Sequence, residues 1–205
     1  MVRRRLAAQP ARRKPQQRRA RDTVEAVLDA VVRLLKRDGV AAVTTNRIAE
    51  VAGVSIGSVY QYFPDKRAIY LALHDRHAEQ VQRALLACVA EHEGAALEQL
   101  VPALVDTLAD AHAGDPELYQ LLLSEVPHGA DSTRELEQRL RAALRPSVLA
   151  AAPDQSPREL ERTLFMLTQL LDGLAHAAVL RRPPQLSLAA AKTEAVRAIL
   201  AYLRS

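Results

Sequence analysis

Residues 45 to 63 read Thr-Asn-Arg-Ile-Ala-Glu-Val-Ala-Gly-Val-Ser-Ile-Gly-Ser-Val-Tyr-Gln-Tyr-Phe, with the spacing of a helix-turn-helix. Ala49 is small where a second helix must cross the first closely. Gly53, four residues on, can take the left-handed conformation that ends a helix and begins a turn without a Cβ penalty. Val54 then opens a new apolar phase, and Val59 anchors the second helix from below. Ile48, Ala52, Val54, Val59 and Tyr62 recur at helical spacing as the inward set. That leaves Ser55, Ile56, Gly57, Ser58, Tyr60 and Gln61 facing outward. Thr44 or Thr45 is placed to cap the first helix and Ser55 the second. Two short helices crossed in this way point to double-stranded DNA as the target, and the outward residues are the candidate readers.

Charge leads in the same direction. Residues 1 to 21 hold nine basic side chains, Arg3, Arg4, Arg5, Arg12, Arg13, Lys14, Arg18, Arg19 and Arg21, and no acidic one. Beyond residue 21 the chain carries 19 basic against 24 acidic residues, so the formal net charge of +4 hides a basic arm on an acidic remainder. A basic tract with Pro, Gln and no apolar periodicity reads as a disordered arm over 1–21. Each phosphate it neutralises adds salt-dependent, sequence-independent affinity, and such arms can enter a minor groove. The plainer reading is a solvated tail. Pro10 and Pro15 break the amphipathic helix that a transit peptide needs, and the arm lacks the apolar core of a secretory signal. No uninterrupted run of eighteen or more apolar residues occurs, so no membrane span is expected. Together with a single cysteine, Cys88, which cannot form an internal disulfide, this places the chain in the cytoplasm.

After the arm nearly everything reads as helix, with no alternating strand pattern and no internal repeat. Asp22 with Glu25 suggests a capping box that starts the first helix, whose stripe of Val24, Leu28, Val31 and Leu35 is closed by Gly39. Asp65 is placed to cap a long fourth helix through Ile69, Leu73, Val81, Leu85 and Cys88. A fifth spans about 95–113, with Pro102 expected to kink or restart it. Gly114-Asp115-Pro116 opens a sixth, ending near Pro127-His128-Gly129. A seventh starts at Asp131 or Ser132 and is interrupted at Pro146. Ser156-Pro157 opens an eighth that runs to Arg181, and Leu188 to Leu203 form the last. The expected organisation is a disordered basic arm (1–21), a helix-turn-helix DNA-binding domain (22–70) and a ligand-binding and dimerisation domain (71–205).

The eighth helix has two apolar faces. Leu160, Leu164, Leu167, Leu171, Leu174 and Ala178 fall on one stripe; Met166, Leu170, Gly173 and Ala177 fall on another beside it. One face packs within the protomer, and the second is best covered by another copy of the chain. The last helix offers Val196, Ile199, Leu200 and Leu203 to the same contact. A homodimer through helices about 157–181 and 188–204 is therefore expected; the alternative is an ordinary buried helix in a monomer.

With these features assembled, the chain resembles the TetR family of transcriptional repressors, most specifically over residues 22 to 73. The segment Gly53-Val-Ser-Ile-Gly-Ser-Val-Tyr-Gln-Tyr-Phe-Pro-Asp-Lys66, followed by Arg67, Ala68 and Tyr70-Leu71, is similar to the family's run from turn glycine to lysine. The rest of the chain matches only in length and all-helical character. The resemblance implies an all-α fold: a three-helix helix-turn-helix head, a helical ligand-binding body and a symmetric dimer. It further implies that a small molecule entering the body tilts the fourth helix and changes the separation of the heads. On the matching positions, it implies phosphate contacts by Thr45, Ser55, Ser58, Tyr62 and Lys66, and backbone or base contact by Tyr60. The base readers would then be Ile56, Gly57, Tyr60 and Gln61: Gln61 pairs with adenine, Ile56 presses a thymine methyl and Gly57 permits close approach. Ile56 departs from the family, where a polar or charged residue is common. Fewer direct hydrogen bonds follow, and part of the specificity is expected from DNA shape or from the arm.

The body must hold the sensor. Tyr119 and Phe165 are its inner aromatics, and a cavity lined mainly by Leu, Val and Ala suits a lipophilic effector. Phe165, Gln169, Asp172 and His176 recur on a third stripe of the eighth helix, and with Tyr119 they form the candidate ligand-binding set. Alternatively, Asp172 and His176, one turn apart, satisfy each other. His112 and Cys88 are weaker candidates for the same lining. His74 and His77 share a helix face but have no evident third ligand, so no metal site is expected, and no cofactor. Glycine-rich phosphate loops and nucleophile elbows are also missing, so an enzyme is not expected. The function that fits is a ligand-responsive regulator, most simply a repressor that binds a palindromic operator as a homodimer and is released by a small lipophilic effector. The rival is a DNA-binding architectural protein, or an activator, without an effector.

Overall fold

The structure is a computed structural model that describes residues 13–126 and 131–204. The arm positions Arg3, Arg4, Arg5, Pro10 and Arg12, and the break expected at Pro127-His128-Gly129, lie outside the described residues. Nine α-helices and no strand occur among the described residues. The chain falls into two compact units divided between Ile69 and Tyr70.

In the first unit, α1 (Arg13–Asp38) leads through a 3-10 turn (Val40–Ala42) to α2 (Thr45–Ala52) and α3 (Ile56–Tyr62). α1 starts nine residues earlier than the Asp22–Glu25 signal suggested, so residues 13–21 are helical instead of disordered. Pro15 does not prevent this, because it is the third residue of the helix and its missing N–H falls among first-turn donors that have no intrahelical partner. Asp22 lies mid-helix, 3.9 Å from Arg18 one turn earlier. Val27, Leu28, Val31, Leu34 and Leu35 of α1 are buried with Ile48, Ala49, Val59 and Phe63. α1 packs on α2, and α2 on α3. Ala52, Val54 and Tyr62, assigned to the inward set from spacing, are only half-buried. A seven-residue helix has one face deep enough for a single fully covered side chain, and Val59 takes it.

α4 (Lys66–Glu91) starts as expected, with Oδ1 of Asp65 accepting the Ala68 amide at 2.8 Å. In the second unit it is followed by α5 (Leu97–Ala113), α6 (Pro116–Glu125), α7 (Asp131–Ala151), α8 (Pro157–His176) and α9 (Leu188–Leu203), with a π turn (Ala177–Arg181) continuing α8. Neither internal proline breaks its helix: α5 runs through Pro102 and α7 through Pro146. A mid-helix proline costs about 3 kcal/mol, but each is flanked by residues at most 2% exposed, Leu100, Val101 and Leu104 in one case and Leu144 and Val148 in the other. Burial on both sides of the proline outweighs the local break.

α5, α8 and α9 pack on one another, and α7 packs on α8. Their shared core includes Leu104, Leu144, Leu164, Leu167, Leu171 and Ile199. Leu160, Leu164, Leu167, Leu171 and Ala178 of the first stripe of α8 are buried and Leu174 is half-buried; Met166, Leu170 and Ala177 of the second are half-buried, and Gly173 is exposed. Pro157–Arg181 is long and apolar enough to cross a membrane by length and composition, with a mean hydropathy of 1.4 over eighteen residues. Charged and polar residues punctuate it, so it contains no uninterrupted apolar run of that length. Its leucines are instead the centre of this unit's core.

Candidate nucleic-acid interface and ligand cavity

The first unit holds every expected DNA-contacting residue. Thr44 is the N-cap of α2, its side chain accepting from the Arg47 amide, so Thr45 is the first helical residue. Gly53 ends α2 at φ 69°, ψ 30°, the left-handed conformation that the turn demands. Ser55 caps α3: its Oγ accepts the Ser58 amide at 3.0 Å and lies 2.8 Å from Ser58 Oγ. Beyond this cap Ser55, Ile56, Gly57, Tyr60 and Gln61 are exposed, while Ser58 and Tyr62 are half-buried. Tyr60 is 52% exposed and Ile56 39%, so both large side chains present surface to solvent. The Tyr60 hydroxyl lies 3.4 Å from Oγ1 of Thr45, which brings residues of α2 and α3 together on one face. A Cβ on Gly57 would meet only Ser55 Oγ, at an ordinary 3.8 Å. Nothing inside the protein therefore requires glycine at position 57. Lys66 is exposed, with Nζ donating to the Val43 carbonyl at 3.4 Å.

Two residues that position this face were not singled out from the sequence. Asp38, at the end of α1, accepts from Arg37 and Arg47, the latter at 2.7 Å. The Arg37 hydrogen bonds chiefly, with the charge of Arg47 added, hold the Asp38 carboxyl below its ordinary range. Arg33 donates to the Val51 carbonyl at 3.4 Å. Both contacts fasten α2 to α1, and their partners lie 9 and 18 residues away, beyond the reach of helical periodicity.

The second unit contains a cavity of about 330 Å³. Leucines and valines of α4 to α8 form the apolar part of its wall, and four imidazoles, a phenol, two threonines and a few charged groups contribute a comparable share of the lining. Of the expected ligand set, Tyr119, Asp172 and His176 line it; Phe165 and Gln169 do not. Phe165 is 47% exposed, and the Gln169 amide donates to Glu137 at 3.4 Å from an exposed position. The correction is geometric. Residues 165, 169, 172 and 176 share a stripe, but only the C-terminal half of that stripe borders the cavity. Cys88 is buried in the core and does not line it.

Beyond that set the lining includes His112, one of the weaker candidates for it, and His74 and His77, which were weighed only as metal ligands. His112 is 4% exposed and stacks on Tyr119, with ring centroids 3.7 Å apart and planes 2° from parallel. Its Nδ1 lies 3.3 Å from Nε2 of His77. The Tyr119 hydroxyl lies 3.1 Å from Nδ1 of His176. His74 lies apart from this chain of contacts, with Nδ1 3.2 Å from Ser132 Oγ, and no group of three or more metal-ligating side chains occurs among the described residues. Burial, with His77 and His176 adding to it, pushes the His112 imidazole down to about 3. Burial also lowers His77 and raises the Tyr119 phenol. These three groups are therefore uncharged at neutral pH. Enclosure by protein raises the Asp172 carboxyl against the pull of His176, although water reaches this exposed residue.

An exposed, capped helix-turn-helix lies in one helical unit and a cavity in the other, and comparison with known proteins gives the class and the family. Residues 27–73 match the bacterial regulatory proteins of the tetR family, and residues 96–203 match the tetracyclin repressor-like C-terminal domain. The chain belongs to the TetR family and is a DNA-binding regulator of that family. The nucleoid occlusion factor SlmA of Actinobacillus pleuropneumoniae is 45% identical over 51 residues, 24% of this chain and only 25% of that protein's length. An HTH-type transcriptional regulator of Mycobacterium tuberculosis is 25% identical over 157 residues, 77% of this chain and 76% of that protein. The fold is similar to that of the transcriptional regulator FadR of Bacillus subtilis, solved in complex with stearoyl-CoA, at a TM-score of 0.63 and 17% identity over 85% of this chain and 96% of that one.

Proposed function

We propose that this protein is a cytoplasmic, ligand-responsive repressor that binds a palindromic operator as a homodimer and releases it when a small lipophilic molecule enters the cavity. The observation that carries the reading is the outward face of α3. Ile56, Gly57, Tyr60 and Gln61 are displayed to solvent by a helix whose start is fixed by Ser55, and nothing inside the protein requires glycine at position 57. Ser55, Ser58, Thr45, Tyr62 and Lys66 surround these readers with hydroxyls and a cation suited to phosphate. Dimerisation through α8 and α9 is supported by the second stripe of α8, which the protomer leaves partly uncovered, and by Phe165, 47% exposed on the outer side of the same helix. The effector role is supported by the cavity. α4 is one continuous helix carrying Lys66 near its start and the cavity residues His74 and His77 further along. A ligand that shifts α4 would thereby act on a DNA-contacting residue.

Selection of bound sequences from a random DNA pool by the purified protein tests this reading. A palindrome with half-sites about one helical turn apart, or a multiple of it, is the expected result. A pool without sequence preference would instead favour an architectural role.

A further inference from the structure

The inner wall of the cavity specifies more about its occupant than that it is lipophilic. His112 is almost fully buried, and its two ring nitrogens are unequal. Nδ1 is engaged by Nε2 of His77 at 3.3 Å, whereas Nε2 has no hydrogen-bond partner among the described residues. A buried polar nitrogen with nothing to bond is costly, so a molecule that supplies the missing partner gains affinity there. We propose that the cavity takes a small, uncharged, largely apolar molecule carrying a hydroxyl group, whose oxygen pairs with Nε2 of His112. The proposal rests on the effector reading above and narrows it to a ligand class.

Three properties of the wall select this chemistry. Charge is the first. Burial keeps His112, His77 and Tyr119 uncharged at neutral pH, so they offer no cation for a carboxylate or phosphate. The other ionisable groups that line the cavity are His74, Glu137, Asp172, His176 and Arg181, so two carboxylates stand against one guanidinium. A cationic ligand would be drawn to the two carboxylates and would leave Nε2 unmet.

Proton placement is the second. One proton is shared between Nε2 of His77 and Nδ1 of His112. If it sits on His112, Nε2 is an acceptor; if it sits on His77, Nε2 carries the other proton and donates. A hydroxyl meets either arrangement because it both donates and accepts, while an ether or ester oxygen meets only one. Size is the third. A volume of about 330 Å³ lies at the small end of the roughly 300–1,000 Å³ range of ligand sites, which fits a medium chain and leaves no room for a nucleotide headgroup.

The test uses calorimetric titration of the full-length dimer or monomer, whichever the preparation contains, with 1-decanol, methyl decyl ether, decanoate, decylamine and decanoyl-CoA. Decanol should bind at least tenfold more tightly than each of the other four. His112→Phe, which keeps a flat ring against Tyr119 and removes both nitrogens, should erase that preference by weakening decanol about tenfold. Because this variant could unfold, the wild-type protein is also labelled with ¹⁵N at histidine: decanol should move the Nε2 resonance of His112, and decylamine should not. Equal or tighter binding of decanoate or decanoyl-CoA, binding of none of the five, or an unmoved resonance overturns the proposal. Operator affinity is followed in parallel. Decanol binding that leaves operator affinity unchanged would refute the effector role while upholding the ligand class. Release by decanoyl-CoA, with decanol inert, would do the reverse.

Discussion

The outward face of α3 and the inner wall of the cavity both rely on polar side chains, but they hold them in opposite ways. On α3 the hydroxyls are solvated and their partners are local: Ser55 meets Ser58 within one turn. In the cavity the polar groups are enclosed and their partners are remote in the chain. His77 reaches His112 across 35 residues, and Tyr119 reaches His176 across 57. The first arrangement forms with a single helix start and needs little else. The second exists only when α4, α5, α6 and α8 are all in place, so the sensor depends on the whole core and the reader does not.

That difference can be tested at several strengths. The largest effect is expected from Leu104→Ala, which empties a fully buried position in α5. It should lower stability by about 3 kcal/mol in chemical denaturation and abolish ligand binding. Next, Gly57→Leu should leave the unfolding midpoint within experimental error, since its Cβ meets only a distant serine oxygen. Operator binding in a mobility-shift assay should fall about 30-fold, equivalent to about 2 kcal/mol. Retained affinity would show that α3 does not approach DNA closely at that point.

Acid should act on the enclosed wall. The His112 imidazole is held near 3 when folded and titrates near 6.5 when unfolded. Its folded pKa is depressed, so the unfolded chain binds the extra proton. Stability is complete above about pH 6.5 and is lost as pH falls from there toward 3. At pH 5 the loss from this group is about 2 kcal/mol, read as a drop in denaturation midpoint between pH 7 and pH 5. His77 contributes in the same direction, and His112→Phe should flatten the slope. The smallest effect belongs to the local cap. Ser55→Ala should cost about 1 kcal/mol, confined to the first unit. A cost several times larger would mean that the reader is not as self-contained as its hydrogen bonds indicate.

The same contrast explains how much of the molecule the sequence discloses. Gly53, Ser55 and Asp65 act on residues within four positions of themselves, so the two short helices and the start of α4 follow from the residue order, as do Ser156-Pro157 and the limits of α9. Pro146 does not interrupt α7 and α5 does not restart at Pro102, because a local breaker is overruled by packing that comes from distant helices. His112 is legible in the sequence as a lining candidate, but its partners are not. It sits in the last turn of α5 among alanines and aspartates, and no neighbour in sequence signals that it will stack on a tyrosine from the next helix. Phe165 and Gln169 mislead in the opposite sense: periodicity assigns a stripe correctly but does not say where along the helix a cavity stops.

The first turn of α1 contains no acidic residue, and Arg18, Arg19 and Arg21 follow in its next turns. Positive side chains there oppose the positive end of the helix's own field. The opening turns are thus wound at an electrostatic disadvantage that any nearby polyanion relieves. The length of α1 becomes a gauge of its ionic surroundings: helical signal in circular dichroism should grow when duplex DNA of any sequence is added at low salt and shrink again as salt displaces it.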